Sequence, residues 1–249
     1  RPTTLLSLLY PAGDERKIKA LSTYYLWIQL GAFPSGLIGG WLRQSYGWAA
    51  AYSAAATGAF MAFCAIGLAW ARLVPYRTNL DALVGTAVDV EDRGEWKAGH
   101  ILTVLVGGIL FFLANQQQGS TLTFWAESRV DRHGLPAEAF STLNPLFVGF
   151  LTPVLGRFWR SGERTRLISA MVATGLGFLI LLVGSRNVSY FVLSYLLGAL
   201  GELLISPFGM GKITELVPRR HAALGMAGWL LTTSIGGYFA GVFGGLAPE

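Results

Sequence analysis

Charged residues are scarce in this chain: Asp, Glu, Lys and Arg make up 13% of its 249 residues, while 53% are hydrophobic. A soluble domain carries about a quarter charged residues, so this composition excludes ordinary soluble and disordered proteins. The single cysteine, Cys64, excludes an intramolecular disulfide. The sequence also lacks a starting methionine and a signal peptide, and we expect it to be a piece of a longer protein.

Long apolar runs dominate what is present, and they predict a membrane protein. A bilayer core of about 30 Å needs about 20 apolar residues at helical rise. Seven stretches approach that length: 21–42, 49–74, 101–125, 139–158, 167–183, 190–211 and 222–246. Residues 1–10 resemble the tail of an eighth. We therefore predict an all-α membrane protein with seven full transmembrane helices and part of an eighth.

The net charge of +5 comes from basic residues that segregate to alternate connections between these stretches. Fourteen of the 19 Lys and Arg residues lie in connections around 16–19, 72–97, 157–166 and 212–220, and four lie in the intervening ones. Cytoplasmic loops collect Lys and Arg, so the first set is predicted to be cytoplasmic. A basic excess of this origin does not indicate nucleic-acid binding.

The longest connection, residues 75–99, mixes five acidic residues with its basic ones. This composition predicts an interfacial or flexible linker between two bundles. The chain is thereby divided into the remainder of an N-terminal bundle (1–74), a cytoplasmic linker (75–99) and a C-terminal bundle (100–249).

One of the 14 acidic residues, Glu202, lies in the middle of an apolar stretch instead of near its end. An ionised acid at that depth costs about 2.5–3.5 kcal/mol on insertion scales, and such residues usually mark a substrate, ion or proton pathway. Ser206 and Gly209 follow it at i+4 and i+7 and share its helix face. The alternative is a protonated glutamate satisfied by a neighbouring helix.

A second polar cluster consists of four consecutive carboxamides at residues 115–118. Because lipid offers no water, these groups need hydrogen-bond partners. Gln116, Ser120 and Thr123 share one face of a continuous helix, which suits a water-filled cavity. The alternative is hydrogen bonding between packed helices.

Similar polar and small-residue patterns occur elsewhere in the predicted spans. Tyr25 and Gln29 are spaced by four residues, and Pro145 after Asn144 predicts a bend near a cavity. Four-residue glycine spacings permit close helix contact, and they occur at Gly36, Gly40, Gly237, Gly241 and Gly245.

Catalytic chemistry has little support in this sequence. His100, His133 and His221 lie at predicted span ends, far apart along the chain, and form no metal cage or nucleophile–base arrangement. A rhodopsin-like protein is excluded because the last span contains no lysine for a Schiff base. We expect neither an enzyme nor a metal site.

Motifs at residues 22–33 (STYYLWIQLGAF), 117–123 (QQGSTLT), 143–147 (LNPLF) and 201–207 (GELLISP) follow one another in the chain, before Gly228-Trp229 and Gly236-Gly237-Tyr238. In this order they resemble helices five, seven, eight, ten and eleven of the proton-dependent oligopeptide transporters. This group is the POT/PTR family of the major facilitator superfamily. The resemblance implies a partial major facilitator fold, from the end of helix four through helix eleven of twelve.

The resemblance also shows departures from the family pattern. The helix-one Glu-x-x-Glu-Arg motif, helix twelve and the helix pair that bacterial members often carry between helices six and seven are not in the sequence. Arg1 stands where the family has a helix-four Lys, and Gln29 where it has a fifth-helix Asn. Gln116 aligns with a seventh-helix Glu that often serves as a protonation site, and an amide cannot titrate.

Carried over residue by residue, the resemblance implies that Glu202 and Asn144 hold the amino terminus of a bound peptide. Arg1 would face the peptide carboxylate, and Gln29 would contact the backbone amide. Glu202 is also the proton-coupling candidate. Further residues implied or predicted to line the site are Tyr25, Ser206, Trp229, Gln116 and Ser120.

By this resemblance the protein is a multi-pass protein of the bacterial inner membrane that imports di- and tripeptides with protons by alternating access. The expected partners are a small peptide, protons and the lipid bilayer, with no cofactor and no nucleic acid, and we expect a monomer. The alternatives are a related transporter of nitrate, an amino acid or a drug-like anion, and a non-transporting pseudo-transporter.

Overall fold

The computed structural model describes residues 15–89, 96–130, 134–158, 162–184, 186–218 and 221–246, together with Leu6 and Tyr10. The helices of these residues are α1 (Glu15–Tyr46), α2 (Trp48–Asp89), α3 (Ala98–Asn115), α4 (Thr121–Arg129), α5 (Glu138–Ser141), α6 (Leu143–Phe158), α7 (Glu163–Gly184), α8 (Val188–Leu216) and α9 (Ala222–Gly245). A 3-10 turn, Gln116–Gln118, joins α3 to α4. The described ranges contain no β-strand, and the all-α prediction is confirmed.

Four helical segments among these residues are long and apolar enough to cross a membrane: Trp48–Trp70, Ala98–Arg129, Glu163–Gly184 and Val188–Leu216. Each coincides with a predicted span. The helices α1 and α9 are also long, at 32 and 24 residues. They are not among these four segments, and the total number of spans stays a prediction.

The helix α8 lies at the centre of the bundle and packs against α1, α3, α6, α7 and α9. Its Phe191, Tyr195 and Ile213 side chains are completely buried. Small residues let the neighbours approach closely: a Cβ atom at Gly177 of α7 would lie 3.1 Å from the carbonyl oxygen of Ser194. Close backbone contact of this kind drives helix association where lipid removes the hydrophobic effect between helices.

The predicted small-residue contact on α1 is confirmed. A Cβ atom at Gly36 would lie 2.6 Å from Cγ2 of Thr142, and one at Gly40 would lie 3.1 Å from the Pro136 ring. The helix α1 therefore packs closely on the segment that leads through α5 into α6.

On α9 the small residues in contact differ from the prediction by one position. Gly236, Ala240 and Gly244 are buried, whereas a Cβ atom at Gly241 or Gly245 would meet nothing within 4 Å. The predicted contact is therefore wrong for Gly241 and Gly245. Glycines at adjacent positions offer two equivalent four-residue stripes, and the neighbouring helix α3 determines which of them packs.

The helix α2 runs through Asp89 and so includes much of the predicted linker. Its sequence explains why: apolar residues recur at positions 80, 83, 84, 87 and 88, the i, i+3, i+4, i+7, i+8 pattern of an amphipathic helix. The division into two bundles joined by an interfacial or flexible linker stays a prediction. Residues 90–95 of the linker lie outside the described part of the chain.

Ion pairs join α1 to later helices at both of its ends. Near its start, Lys17 lies 3.3 Å from Glu215 at the end of α8. Near its end, Arg43 contacts Glu138 of α5 with an N–O distance of 2.6 Å, and Glu127 of α4 at 3.6 Å. The hydrogen bond to the Glu138 carboxylate raises the pKa of Arg43, because it favours the charged guanidinium.

The contact between α3 and α9 gives a direct test of the packing. Gly236→Ala would place a Cβ atom 2.7 Å from the backbone nitrogen of Leu113 and 2.8 Å from the backbone carbon of Phe112. A backbone cannot move aside as a side chain can, so we expect a loss of about 1–3 kcal/mol of stability, measured as a lower melting temperature in detergent. Gly241→Ala, in the same helix and facing open space, is the matched control. Equal melting temperatures for the two variants would contradict the α3–α9 packing.

Candidate functional site

The site is organised around a carboxylate at the midpoint of α8. Glu202 is the central residue of Val188–Leu216, and only 7% of its surface is exposed. The nearby glycines Gly198 and Gly201 have no side chains, which leaves room for the Gln118 and Thr174 side chains against α8. A Cβ atom at Gly198 would collide with the Gln118 side chain, and one at Gly201 with Thr174.

Four neutral donors surround the two oxygens of Glu202. Its Oε1 accepts hydrogen bonds from the Tyr25 hydroxyl and, at 3.3 Å, from Nε2 of Gln29. Its Oε2 accepts from Nδ2 of Asn115 at 2.9 Å and from Nδ2 of Asn144 at 2.7 Å. A carboxylate has about four lone-pair sites, so these donors fill its acceptor capacity.

The donors come from two directions. Tyr25 and Gln29 belong to α1, and their four-residue spacing places both on the face that meets α8. Asn115 ends α3, and Asn144 lies in the first turn of α6. One oxygen of Glu202 therefore binds α1, while the other binds helices that follow the predicted linker.

A break in the helix brings Asn115 and Gln116 to the site. The 3-10 turn Gln116–Gln118 separates α3 from α4, and hydrogen bonds satisfy the backbone that the break exposes. The carbonyl oxygen of Gln118 accepts from the Tyr195 hydroxyl at 2.7 Å. The Gln118 amide donates to the Ser194 carbonyl oxygen at 3.3 Å and accepts from Asn144 at the same distance. The turn is thus fixed to α8.

A cavity of about 380 Å³ lies between these groups. Its lining includes seven of the residues singled out from the sequence: Tyr25, Gln29, Gln116, Asn144, Glu202, Ser206 and Trp229. The indole of Trp229 packs edge-on against Phe112, with ring centroids 5.8 Å apart. The structure therefore brings together side chains from α1, the α3–α4 break, α6, α8 and α9.

Ser120 is placed differently from its prediction. It is not among the cavity-lining residues, and its hydroxyl lies 3.1 Å from the Gln116 carbonyl oxygen and 3.4 Å from that of Ala240. Thr123 likewise bonds the Gln118 carbonyl oxygen at 3.3 Å. The predicted common face with Gln116 is wrong because it assumed an unbroken helix. Arg1, the other predicted site residue, lies outside the described residues.

Two residues of the site were missed from the sequence. Asn115 and Gln118 belong to the run of carboxamides, but on a continuous α-helix their side chains would lie on other faces than the Gln116 side chain. Gly119 after the run was the available signal, because a glycine beside several polar residues favours a break in a helix.

The sequence profile described as the POT family matches residues 2–77 and 83–186. The chain belongs to the POT family. Dipeptide and tripeptide permease A of Escherichia coli K12 is 26% identical over 311 residues, and the match covers 97% of this chain and 62% of the permease. The Yersinia pestis protein of the same name is 24% identical, with coverage of 96% and 60%. This POT-family chain thus spans about three fifths of the length of these relatives.

Solved structures of POT transporters share its fold. A peptide transporter POT in complex with alafosfalin superimposes with a TM-score of 0.70, at 22% identity, over 99% of this chain and 64% of that one. A bacterial homologue of the human drug peptide transporters PepT1 and PepT2 also gives 0.70, at 20% identity, with coverage of 99% and 65%. The chain is therefore a multi-pass inner-membrane protein with part of a major facilitator fold.

The hydrogen bond from the Tyr195 hydroxyl gives a direct test of what stabilises the 3-10 turn between α3 and α4 of this POT protein. Tyr195→Phe removes the shorter of the two hydrogen bonds that the Gln118 carbonyl oxygen accepts and leaves the one from Thr123, so the loss should be about 1 kcal/mol. We expect the melting temperature in detergent to fall by about 2–4 °C. Tyr190→Phe in the same helix removes a hydroxyl that is not bonded to the turn and serves as the control. An unchanged melting temperature for Tyr195→Phe would show that the turn does not depend on this bond.

Proposed function

We propose that the complete gene product is a secondary active transporter that imports di- and tripeptides together with protons by alternating access. Three observations support this proposal: the chain belongs to the POT family, its curated relatives are named dipeptide and tripeptide permeases, and an acid lies buried in a polar cavity between helices. The cavity carries most weight, because an intramembrane carboxylate indicates a substrate or proton pathway. Relatives that are transporters also favour transport over an enzymatic activity.

The amino terminus of the peptide is the end that the cavity recognises in this proposal. Glu202 supplies the negative charge for the ammonium group. Asn144, whose Nδ2 lies 2.7 Å from Oε2 of Glu202, supplies an amide group. A volume of about 380 Å³ lies within the roughly 300–1,000 Å³ range of small-molecule sites. A zwitterionic peptide has fixed charges at its ends, so a site that reads charge and backbone accepts many side chains.

The remaining contacts follow the resemblance. Gln29 contacts the peptide backbone, and Tyr25, Ser206 and Trp229 form the walls against which side chains lie. Gln116 lines the same space. Arg1 remains the predicted partner of the peptide carboxylate, and Ser120 acts by holding α4 against α9 instead of touching the substrate.

Glu202 is the proposed proton carrier. It is the carboxylic acid among the described lining residues, and Gln116, where other members have a glutamate, has no titratable group. A proton or an ammonium group on Oε1 competes with the donors of α1 for the same lone pairs. Loading the site therefore weakens the link between α1 and α8, which is the change that rocking of one bundle against the other requires.

Protons give the transporter its energy source without a further cofactor. The membrane potential supplies about 2.3 kcal/mol per charge per 100 mV. We propose a monomer as the working unit.

Glu202→Gln in the complete gene product tests the proposal. We expect uptake of labelled dialanine into cells without their own peptide permeases to fall about thirtyfold or more, because the ammonium loses its buried counter-charge. Glu163→Gln, which removes an exposed carboxylate at the start of α7, should transport normally. Normal uptake by Glu202→Gln would overturn the assignment.

Competition separates the alternatives. Excess unlabelled dipeptide should block uptake, while nitrate, free amino acids and drug-like anions should not. Proteoliposomes should show proton entry when peptide is added, and the absence of proton flux would favour a pseudo-transporter.

A further inference from the structure

The two asparagines beside Glu202 each leave one polar atom unused. Asn115 and Asn144 both donate through Nδ2 to Oε2 of Glu202, at 2.9 and 2.7 Å. Their Oδ1 atoms are buried and accept no hydrogen bond from the described protein. Buried amide oxygens are normally satisfied, so two together in one cavity indicate a ligand with donor groups.

Asn115 is the more informative of the two. Only 5% of its surface is exposed, and it lines the cavity from the end of α3. The hydrogen bond from Nδ2 to Glu202 leaves Oδ1 as the amide atom without a hydrogen-bond partner in the described protein. The 3-10 turn that follows holds the residue at this position.

The chemistry around the carboxylate specifies the donor. One negative charge and two neutral oxygens suit a group that is positive and carries several N–H bonds. A primary ammonium has three such bonds and can serve the carboxylate and both amide oxygens at once. Each methyl group on the nitrogen removes one of these bonds while keeping the charge.

We propose that Asn115 is a specificity-determining residue whose Oδ1 accepts one N–H of the substrate's primary ammonium group, so that the site discriminates against N-methylated amines. This inference rests on the proposed function, because it assumes that the ammonium of a peptide enters the cavity beside Glu202. It assigns to Asn115 a contact separate from those of Glu202 and Asn144.

The test compares two ligands on two proteins. Binding of dialanine and of its N,N-dimethyl derivative is measured by tryptophan fluorescence of the complete gene product in detergent, with Trp229 in the cavity as the reporter. The unaltered protein should bind dialanine more tightly. In Asn115→Leu the affinity for dialanine should fall about tenfold to a hundredfold, the value of a hydrogen bond to a charged group, while the affinity for the dimethyl ligand stays within about threefold.

Two further variants keep the test decisive. Asn115→Ala, which adds no bulk, should show the same selective loss if Asn115→Leu folds poorly. Ser194→Ala is the control, because it removes a buried hydroxyl that also has no hydrogen-bond partner in the described protein. Ser194 is 1% exposed and does not line the cavity, so this variant should bind both ligands like the unaltered protein.

The outcomes separate this inference from the proposed function. Equal losses for both ligands in the Asn115 variants would show that the residue only orients Glu202, and no loss would show that it does not contact the ammonium. Either result overturns the inference and leaves peptide transport intact. Failure of the unaltered protein to bind dialanine would instead overturn the proposed function.

Discussion

The hydrogen bonding of one buried carboxylate constrains the rest of this structure. Glu202 lies at the middle of α8, and its oxygens accept from Tyr25, Gln29, Asn115 and Asn144. Displacement of α1, α3 or α6 would remove a donor from this buried carboxylate, and a buried charge that loses its hydrogen bonds is costly. The register of three helices against α8 is therefore set by one side chain, and each of these helices has a polar residue at the depth of Glu202.

Glycines on α8, which have no side chain, allow the neighbouring helices to approach it closely. Gly198 and Gly201 flank Glu202 on α8, and at both positions a Cβ atom would collide with a polar side chain of another helix. Gly209, further along α8, leaves space for the Trp229 indole in the same way. The small-residue packing is thus connected to the polar cluster: Gly198 admits Gln118, Gln118 accepts a hydrogen bond from Asn144, and Asn144 donates to the carboxylate.

Much of the site could be predicted from the sequence, because charged and strongly polar side chains are rare within membrane-spanning helices. A mid-span acid, and a tyrosine and a glutamine four residues apart, are conspicuous among apolar residues, and Glu202, Tyr25 and Gln29 do meet. Two other features were not predictable, because the sequence fits two alternatives equally well and only the packing of neighbouring helices decides between them. The carboxamides at 115–118 suit one continuous helical face, but the chain breaks there and presents Asn115. The glycines of α9 offer two stripes, and contact with α3 selects between them.

The helix α1 is joined to later helices at three levels: Lys17 to Glu215 at one end, Arg43 to Glu138 at the other, and Tyr25 with Gln29 to Glu202 between them. The proposed alternating access requires one end to separate while the other stays closed, and under that proposal the two ion pairs cannot both be permanent. They bind charge to charge, and a neutral peptide backbone cannot replace either partner. The central link consists of neutral donors on a carboxylate, and a proton or an ammonium group can take their place. In the proposed transport cycle a ligand in the cavity therefore acts first on the middle of α1, and the ion pairs at its ends respond to the movement that follows.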